Sequence, residues 1–199
     1  INNNYAGMEN LSLIPGNVGA SPMQNIGAYG VEVKDIFHEL EAFHLEDGIS
    51  KIFESKDCEF GYRDSVFKRQ VKGQFAILNV TYRLKKNPVF NISYGAIEKE
   101  LERMNTKELT IKAISDAVIY IRTSKLPSPD VIGNAGSFFK NPMIDQNELR
   151  ELEKIVNNIP YYTSGKNSFK IPAGWLIEQC GPENGTSWKG YRNGDAGCY

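Results

Sequence analysis

The chain has 199 residues, 41% of them hydrophobic and 24% charged, and a formal net charge of −1. This is an ordinary globular composition. It excludes a disordered chain, leaves room for one large domain or two small ones, and gives no electrostatic footprint for nucleic acid or an anionic membrane surface. No apolar run reaches the roughly 18 residues that a membrane helix needs, so neither a nucleic-acid nor a membrane partner is expected.

Residues 11–30 are punctuated by Pro15, Pro22 and the glycines 16, 19, 27 and 30. Glycine permits positive φ and close backbone approach to a flat ligand. A succession of tight turns accounts for the same spacing. Residues 31–84 read mostly as β. Phe37, Phe43 and Leu45 alternate on one face, Leu40 and Ala42 on the other. Asp47-Gly48 marks a hairpin into the run 49–53. Residues 75–84 form a strongly β-prone strand, closed by Lys85-Lys86-Asn87-Pro88. These strands should make an antiparallel or mixed sheet.

Helices follow. Residues 96–104 predict a short charged one. Ile111, Ile114, Val118 and Ile121 give a single apolar stripe on the next. Leu126-Pro127-Ser128-Pro129 stops it, because proline cannot continue the hydrogen-bond ladder. Asp145 with Glu148 has the form of a capping box, with Leu149, Leu152, Ile155 and Val156 as the buried face behind it. Pro172 is suited to open a further helix containing Trp175 and Leu176, with Gly181 as its stop. The fold class is therefore α+β, with a boundary in the 124–129 link: residues 1–124, then 125–199.

The residues that carry chemistry lie in two stretches. Arg63 stands in Gly61-Tyr-Arg-Asp-Ser65, where the ordinary reading is a surface ion pair with Asp64. The alternative is a permanently charged fork that holds a carboxylate through two oxygens. Ser137 follows Gly133-Asn-Ala-Gly136 and is read either as a turn or helix-capping serine or as a hydroxyl open to substrate. Its weak acidity restricts it to protonating a strong base such as a carbanion-like intermediate. Lys125, Lys140 and Asn141 offer cationic and amide donors suited to a diphosphate, or are solvated surface. Tyr94 is placed on a loop that can close over a ligand, or packs beneath a turn. His38 and His44 lack metal-site geometry and are read as structural or exposed. Cys58, Cys180 and Cys198 are odd in number and lack metal-ligand spacing, which fits a reducing compartment.

Taken in order, Leu11-Ser-Leu-Ile-Pro-Gly16, Gln24-Asn-Ile-Gly-Ala-Tyr-Gly30, Tyr62-Arg-Asp-Ser65, Arg122-Thr-Ser-Lys-Leu-Pro127, Gly133 to Pro142 and Ala173-Gly-Trp-Leu-Ile177 resemble the UDP-N-acetylenolpyruvoylglucosamine reductase family. The likeness is to the form with an inserted tyrosine loop, here about residues 88–110. The resemblance implies a second FAD-binding subdomain of the vanillyl-alcohol-oxidase type, followed by part of an α+β substrate domain. It implies FAD and NADPH as cofactors, UDP-N-acetylglucosamine enolpyruvate as substrate, and a bacterial cytoplasmic enzyme of peptidoglycan synthesis; the sequence leaves the oligomeric state open, with a monomer expected. Arg63 and Ser137 match the catalytic arginine and proton donor. Tyr94, Lys125 and Asn141 match contacts to the nucleotide diphosphate. Ile14, Pro15, Gly16, Ser21, Gln24, Asn25, Gly27 and Tyr29 fall in the segment lining the flavin, with Ile77 nearby.

The chain opens at Ile1 without methionine and closes in a turn-rich stretch. An internal fragment is therefore expected, without the subdomain that holds the FAD pyrophosphate and without the family's catalytic glutamate. Such a piece should bind FAD weakly or not at all. The competing reading is a non-catalytic nucleotide-sugar binding module derived from a flavoenzyme. A different member of the wider flavin-oxidase fold lacks support, since no histidine has an attachment-like context. The reductase reading turns on one spatial expectation: Arg63 and Ser137 face the same cavity.

Overall fold

The computed structural model describes residues 2–126, 128, 130, 131 and 139–180. They fall in two compact units, residues 1–131 and 132–199. The first begins with 3₁₀ turns at Glu9–Leu11 and Val18–Ala20, then the antiparallel pair β1 (Gly27–Ala28) and β2 (Val31–Glu32). There follow β3 (Phe37–His44), β4 (Ser50–Glu54), the single-turn α1 (Ser55–Cys58), β5 (Phe75–Tyr82), α2 (Gly95–Arg103) and α3 (Ile111–Lys125). The sheet order is β4-β3-β5, antiparallel throughout.

The Asp47-Gly48 hairpin forms for the reason its residues suggest. Asp47 Oδ1 accepts from the Ile49 N–H at 3.0 Å, and Gly48 takes a φ of +74° that most residues avoid. Leu40 and Ala42 point into the core while Phe43 and Leu45 are exposed, as period-two alternation requires. Phe37 departs from the expected face and is buried with Leu40. A register shift between Phe37 and Glu39 is the cause. One extra residue in a bulge reverses the parity of everything before it. Phe37, Leu40, Ala42, Phe53, Val66 and Phe67 then form one cluster over α1 and its Cys58. Each large apolar side chain buried there contributes about 1.5–3 kcal/mol.

The stripe on α3 is buried as its spacing predicts, and Thr110 caps the helix by accepting from the Ala113 N–H at 3.0 Å. This helix packs on α2 and on the 3₁₀ turn Glu9–Leu11. Glu100 of α2 is buried and accepts from Arg103 Nε at 3.0 Å, while the Arg103 guanidinium lies 4.0 Å from the centre of the Tyr120 ring on α3.

The second unit contains β6 (Met143–Asp145), α4 (Gln146–Ile155), β7 (Tyr162–Thr163), β8 (Ser168–Lys170) and α5 (Ala173–Cys180), with sheet order β6-β8-β7. The capping box is present. Asp145 Oδ1 accepts from the N–H groups of Asn147 and Glu148 at 2.7 and 2.9 Å, and Glu148 returns a bond to the Asp145 N–H at 2.8 Å. Leu149, Ile159 and Ile171 make the core, with Leu152, Val156, Trp175 and Leu176 against it. Ile155 does not join them and is 80% exposed. It is the last residue of α4, six residues past Leu149 and about 120° round the helix from it, at the edge of the stripe. Gly181, expected to stop α5, lies outside the described residues. Antiparallel sheets with helices set apart from them make this an α+β fold. Among the described residues no helix is long and apolar enough to cross a membrane.

Candidate functional site

Arg63 sits in a tight loop closed by the Gly61 N–H to the Asp64 carbonyl at 3.0 Å and the reverse bond at 3.3 Å. Its φ is +52°, and Lys68 Nζ donates to its carbonyl at 3.1 Å. This backbone turns the side chain away from Asp64, the partner the ordinary reading assigns to it. Asp64 instead receives Arg69 Nε at 2.9 Å. The Arg63 guanidinium is directed at residues 25–32. Its Nη2 donates to the Gly27 carbonyl, and its Nη1 lies 3.4 Å from the Asn25 carbonyl and 3.5 Å from Glu32 Oε1. The side chain remains 28% exposed, so an anion from solvent can reach it.

Asn25 is the reason those carbonyls stand where they do. It is 0% exposed, with φ +44°. Its Nδ2 donates to Glu32 Oε2 at 3.0 Å and to the Gly61 carbonyl at 2.9 Å, while Oδ1 accepts from the Lys34 N–H at 3.0 Å. One side chain thus ties the glycine-rich segment to the Arg63 loop and to the end of β2. Burial leaves no water to replace any of these bonds. Glu32 Oε2 also receives Lys34 Nζ at 2.9 Å, and that hydrogen bond holds the Lys34 ammonium above its usual pKa.

Of the other residues expected to line a flavin, Ile14 is half-buried, whereas Pro15, Gly16 and Gln24 are exposed. Gly16 has φ +109°, and a Cβ there would meet no atom within 4 Å. Leu13 and Val18, on either side, are 53% and 59% exposed. A Cβ on Gly19 would lie 3.7 Å from Ile77 Cγ2, which sets Ile77 beside this segment. The result is an open shelf of apolar and small residues. Ser21 is buried and committed elsewhere: its hydroxyl donates to the Val18 carbonyl at 2.6 Å and meets the Tyr82 hydroxyl at 2.5 Å. Ser21 and Asn25 therefore hold the shape of the segment, and a flat ligand here would meet backbone and apolar neighbours.

Tyr29 is buried, and its ring meets Tyr94 edge-on with centroids 5.3 Å apart. Asn10 Nδ2 donates at 2.9 Å both to the Tyr29 carbonyl and to that of Asn91, which joins the glycine-rich segment to the loop bearing Tyr94. Tyr94 stands at the N-cap of α2. Lys125 is the half-buried last residue of α3, one turn from Arg122, whose Nε donates to the Leu13 carbonyl at 3.2 Å. In the second unit Asn141 Oδ1 accepts from the Ala173 N–H at 2.9 Å and so satisfies a donor of the first turn of α5. Its amide NH₂ is the part suited to a ligand oxygen. Ser137 and the Gly133–Gly136 run lie outside the described residues.

The structure thus gathers Arg63, Asn25 and Gly27, sets Tyr94 on Tyr29, and brings Ile77 to the glycine-rich segment; Asn141 belongs to the other unit. Sequence reasoning missed Glu32, Lys34 and Asn10. The signal for Glu32 is faint: a charged residue two places beyond a glycine turn, with a lysine two places on. His38 is exposed and meets Arg83 Nη2 at 3.0 Å, and His44 Nδ1 lies 2.8 Å from Asp47. Among the described residues no group of three or more His, Cys, Asp or Glu is placed to hold a metal.

Comparison with known proteins bears on the whole chain. The family model for the C-terminal domain of UDP-N-acetylenolpyruvoylglucosamine reductase matches residues 127–199. The reductase of that name from Amoebophilus asiaticus is 54% identical over 199 residues, covering 100% of this chain and 57% of the relative. The one from Flavobacterium johnsoniae is 49% identical, with 100% and 58% covered. A crystal structure of the Thermus caldophilus reductase aligns with TM-score 0.49 at 22% identity, over 84% of this chain and 54% of that one. The chain spans somewhat more than half the length of the curated relatives it matches. Over its whole length the chain is similar to UDP-N-acetylenolpyruvoylglucosamine reductases, and its residues 127–199 match the model of that family's C-terminal domain.

Proposed function

We propose that this chain serves an enzyme that reduces UDP-N-acetylglucosamine enolpyruvate to UDP-N-acetylmuramate at the expense of NADPH, in bacterial cytoplasmic peptidoglycan synthesis. FAD, held against the shelf around Gly16 and Gly19, would supply hydride to the terminal carbon of the enolpyruvyl double bond. Everything else falls to side chains of the protein. Negative charge gathers on the substrate carboxylate and its neighbouring carbon, and Arg63 offsets it with a charge that does not titrate near neutrality. Ser137 gives its proton to that carbon, the kind of strong base that a weakly acidic hydroxyl can protonate. Tyr94, Lys125 and Asn141 bind the nucleotide diphosphate.

The observation that carries this reading is the posture of Arg63. Its guanidinium is pulled away from the adjacent Asp64 and fixed by the carbonyls of Asn25 and Gly27, in the same segment as the apolar shelf. An arginine serving only as a surface ion pair has no need of such a mount. The test is substrate-dependent NADPH consumption, with UDP-N-acetylmuramate identified by mass, by a protein carrying these residues at the length of its relatives. Separate titrations with FAD and a UDP-sugar extend it. Sugar binding without flavin binding or turnover would support a nucleotide-sugar binding module instead.

A further inference from the structure

Arg63 does not stand alone, and the group beside it is one the proposed chemistry has not used. Glu32 faces it with one carboxylate oxygen, Oε1, at 3.5 Å from Nη1. The other oxygen, Oε2, is taken by Asn25 Nδ2 at 3.0 Å and Lys34 Nζ at 2.9 Å. Glu32 is therefore a braced acceptor whose position is fixed from behind. A Cβ at residue 27 would sit 2.8 Å from Glu32 Cγ and 2.7 Å from Arg63 Nη1, so Gly27 is the floor on which both side chains rest.

The charges divide in a telling way. One carboxylate is shared between two cations, Lys34 and Arg63, with the shorter contact to Lys34. A carboxylate bound fully to Arg63 would compete with an anionic substrate for the same fork. A carboxylate neutralised by Lys34 and held at 3.5 Å steers the guanidinium while leaving its charge available.

We propose that Glu32 is a positioning residue for Arg63, and that Lys34 holds enough of its charge for the arginine to remain a receptor for the substrate carboxylate. This rests on the catalytic role proposed for Arg63. Glu32 acts during the substrate's reduction through the orientation of Arg63, and takes no part in binding NADPH or flavin.

The experiment compares Glu32→Gln with Arg63→Lys in a protein of the length of its relatives, following the two half-reactions separately. Glu32→Gln keeps the size and one acceptor oxygen but removes the charge. Misaiming a reacting group by about 1 Å costs on the order of 10- to 100-fold. Oxidation of the reduced flavin by enolpyruvyl substrate should slow by about that factor, with KM little changed, while flavin reduction by NADPH and the thermal midpoint hold. A second readout needs no cofactor. In nitrogen-15 spectra of the 199-residue chain, the Arg63 Nη signals should be resolved in the unaltered protein and merge in Glu32→Gln. Equal slowing of both half-reactions by Glu32→Gln would assign it a merely structural part and overturn the proposal. So would a damaging Arg63→Lys beside a silent Glu32→Gln with unchanged Arg63 signals. If the unaltered protein reduces no enolpyruvyl substrate, the catalytic role of Arg63 falls, and this proposal with it.

Discussion

Gly27 lies directly beneath the Arg63 guanidinium. Its carbonyl accepts from Nη2, and a Cβ at that position would stand 2.7 Å from Nη1 and 2.9 Å from the Val31 carbonyl oxygen. The second contact is to backbone and cannot be relieved by a change of rotamer. Gly27→Ala should therefore displace both the β1–β2 turn and the arginine. Overpacking of this kind costs about 1–3 kcal/mol. Urea unfolding should show a loss of that size, whereas a midpoint equal to that of the unaltered chain would mean that the arginine is not mounted on this residue.

Asn25 supplies three hydrogen bonds from full burial. Asn25→Leu leaves the Gly61 carbonyl and the Lys34 N–H without their partner. The expected loss is about 1–3 kcal/mol for each group left unsatisfied. Asn25→Asp should also destabilise, because a carboxylate cannot donate to the Gly61 carbonyl and would face Glu32 with like charge. Chemical denaturation of the two variants would check the order: both below the unaltered chain.

Cys58 is fully buried beneath the sheet, and desolvation pushes its thiol from the usual value near 9 up to about 12. Below about 9 the thiol is neutral whether the chain is folded or not, and its contribution is whole. Above that the unfolded chain ionises first and binds fewer protons than the folded one. Stability must therefore fall as pH rises, with this contribution gone by about 12. Peptide mapping after alkylation at pH 8 should find Cys58 unmodified in the folded chain and modified in denaturant. Prompt modification of the folded chain would contradict its placement.

Much of the scaffold was legible because its signals are local. Asp47-Gly48 and Asp145 with Glu148 each specify a structure within four residues, and each formed. The parity of Phe37 was not legible, because a bulge depends on the partner strand. The ion pairs misled for the same reason. Asp64 adjoins Arg63 in sequence, yet a left-handed backbone at Arg63 turns the two apart and gives Asp64 to Arg69. Arg63, Asn25 and Gly27 could be picked out by their wording. Their mutual arrangement could not, since it spans 36 residues between Gly27 and Arg63 and passes through Glu32, which carries no motif.

The shelf around Gly16 is open on its outer side, with Leu13 and Val18 more than half exposed. A ring laid on it would be covered on one face alone, whereas well-held ligands bury about 70–90% of their surface. The 199-residue chain by itself should bind FAD weakly, with no stoichiometric flavin absorbance after purification. A yellow protein with one flavin per chain would show that these residues suffice.

In the role proposed for them, Arg63 and Ser137 serve the reduction of the enolpyruvyl group and nothing earlier. The most direct measurement is stopped-flow absorbance of the two flavin half-reactions in Arg63→Lys and Ser137→Ala, each in a protein of the length of its relatives. Loss of a proton donor costs about 10²- to 10⁴-fold in the step it serves. The predicted result is slowing of that order when substrate reoxidises the flavin, in both variants, with reduction by NADPH unchanged. Equal slowing of the two half-reactions, or none in either, would contradict it.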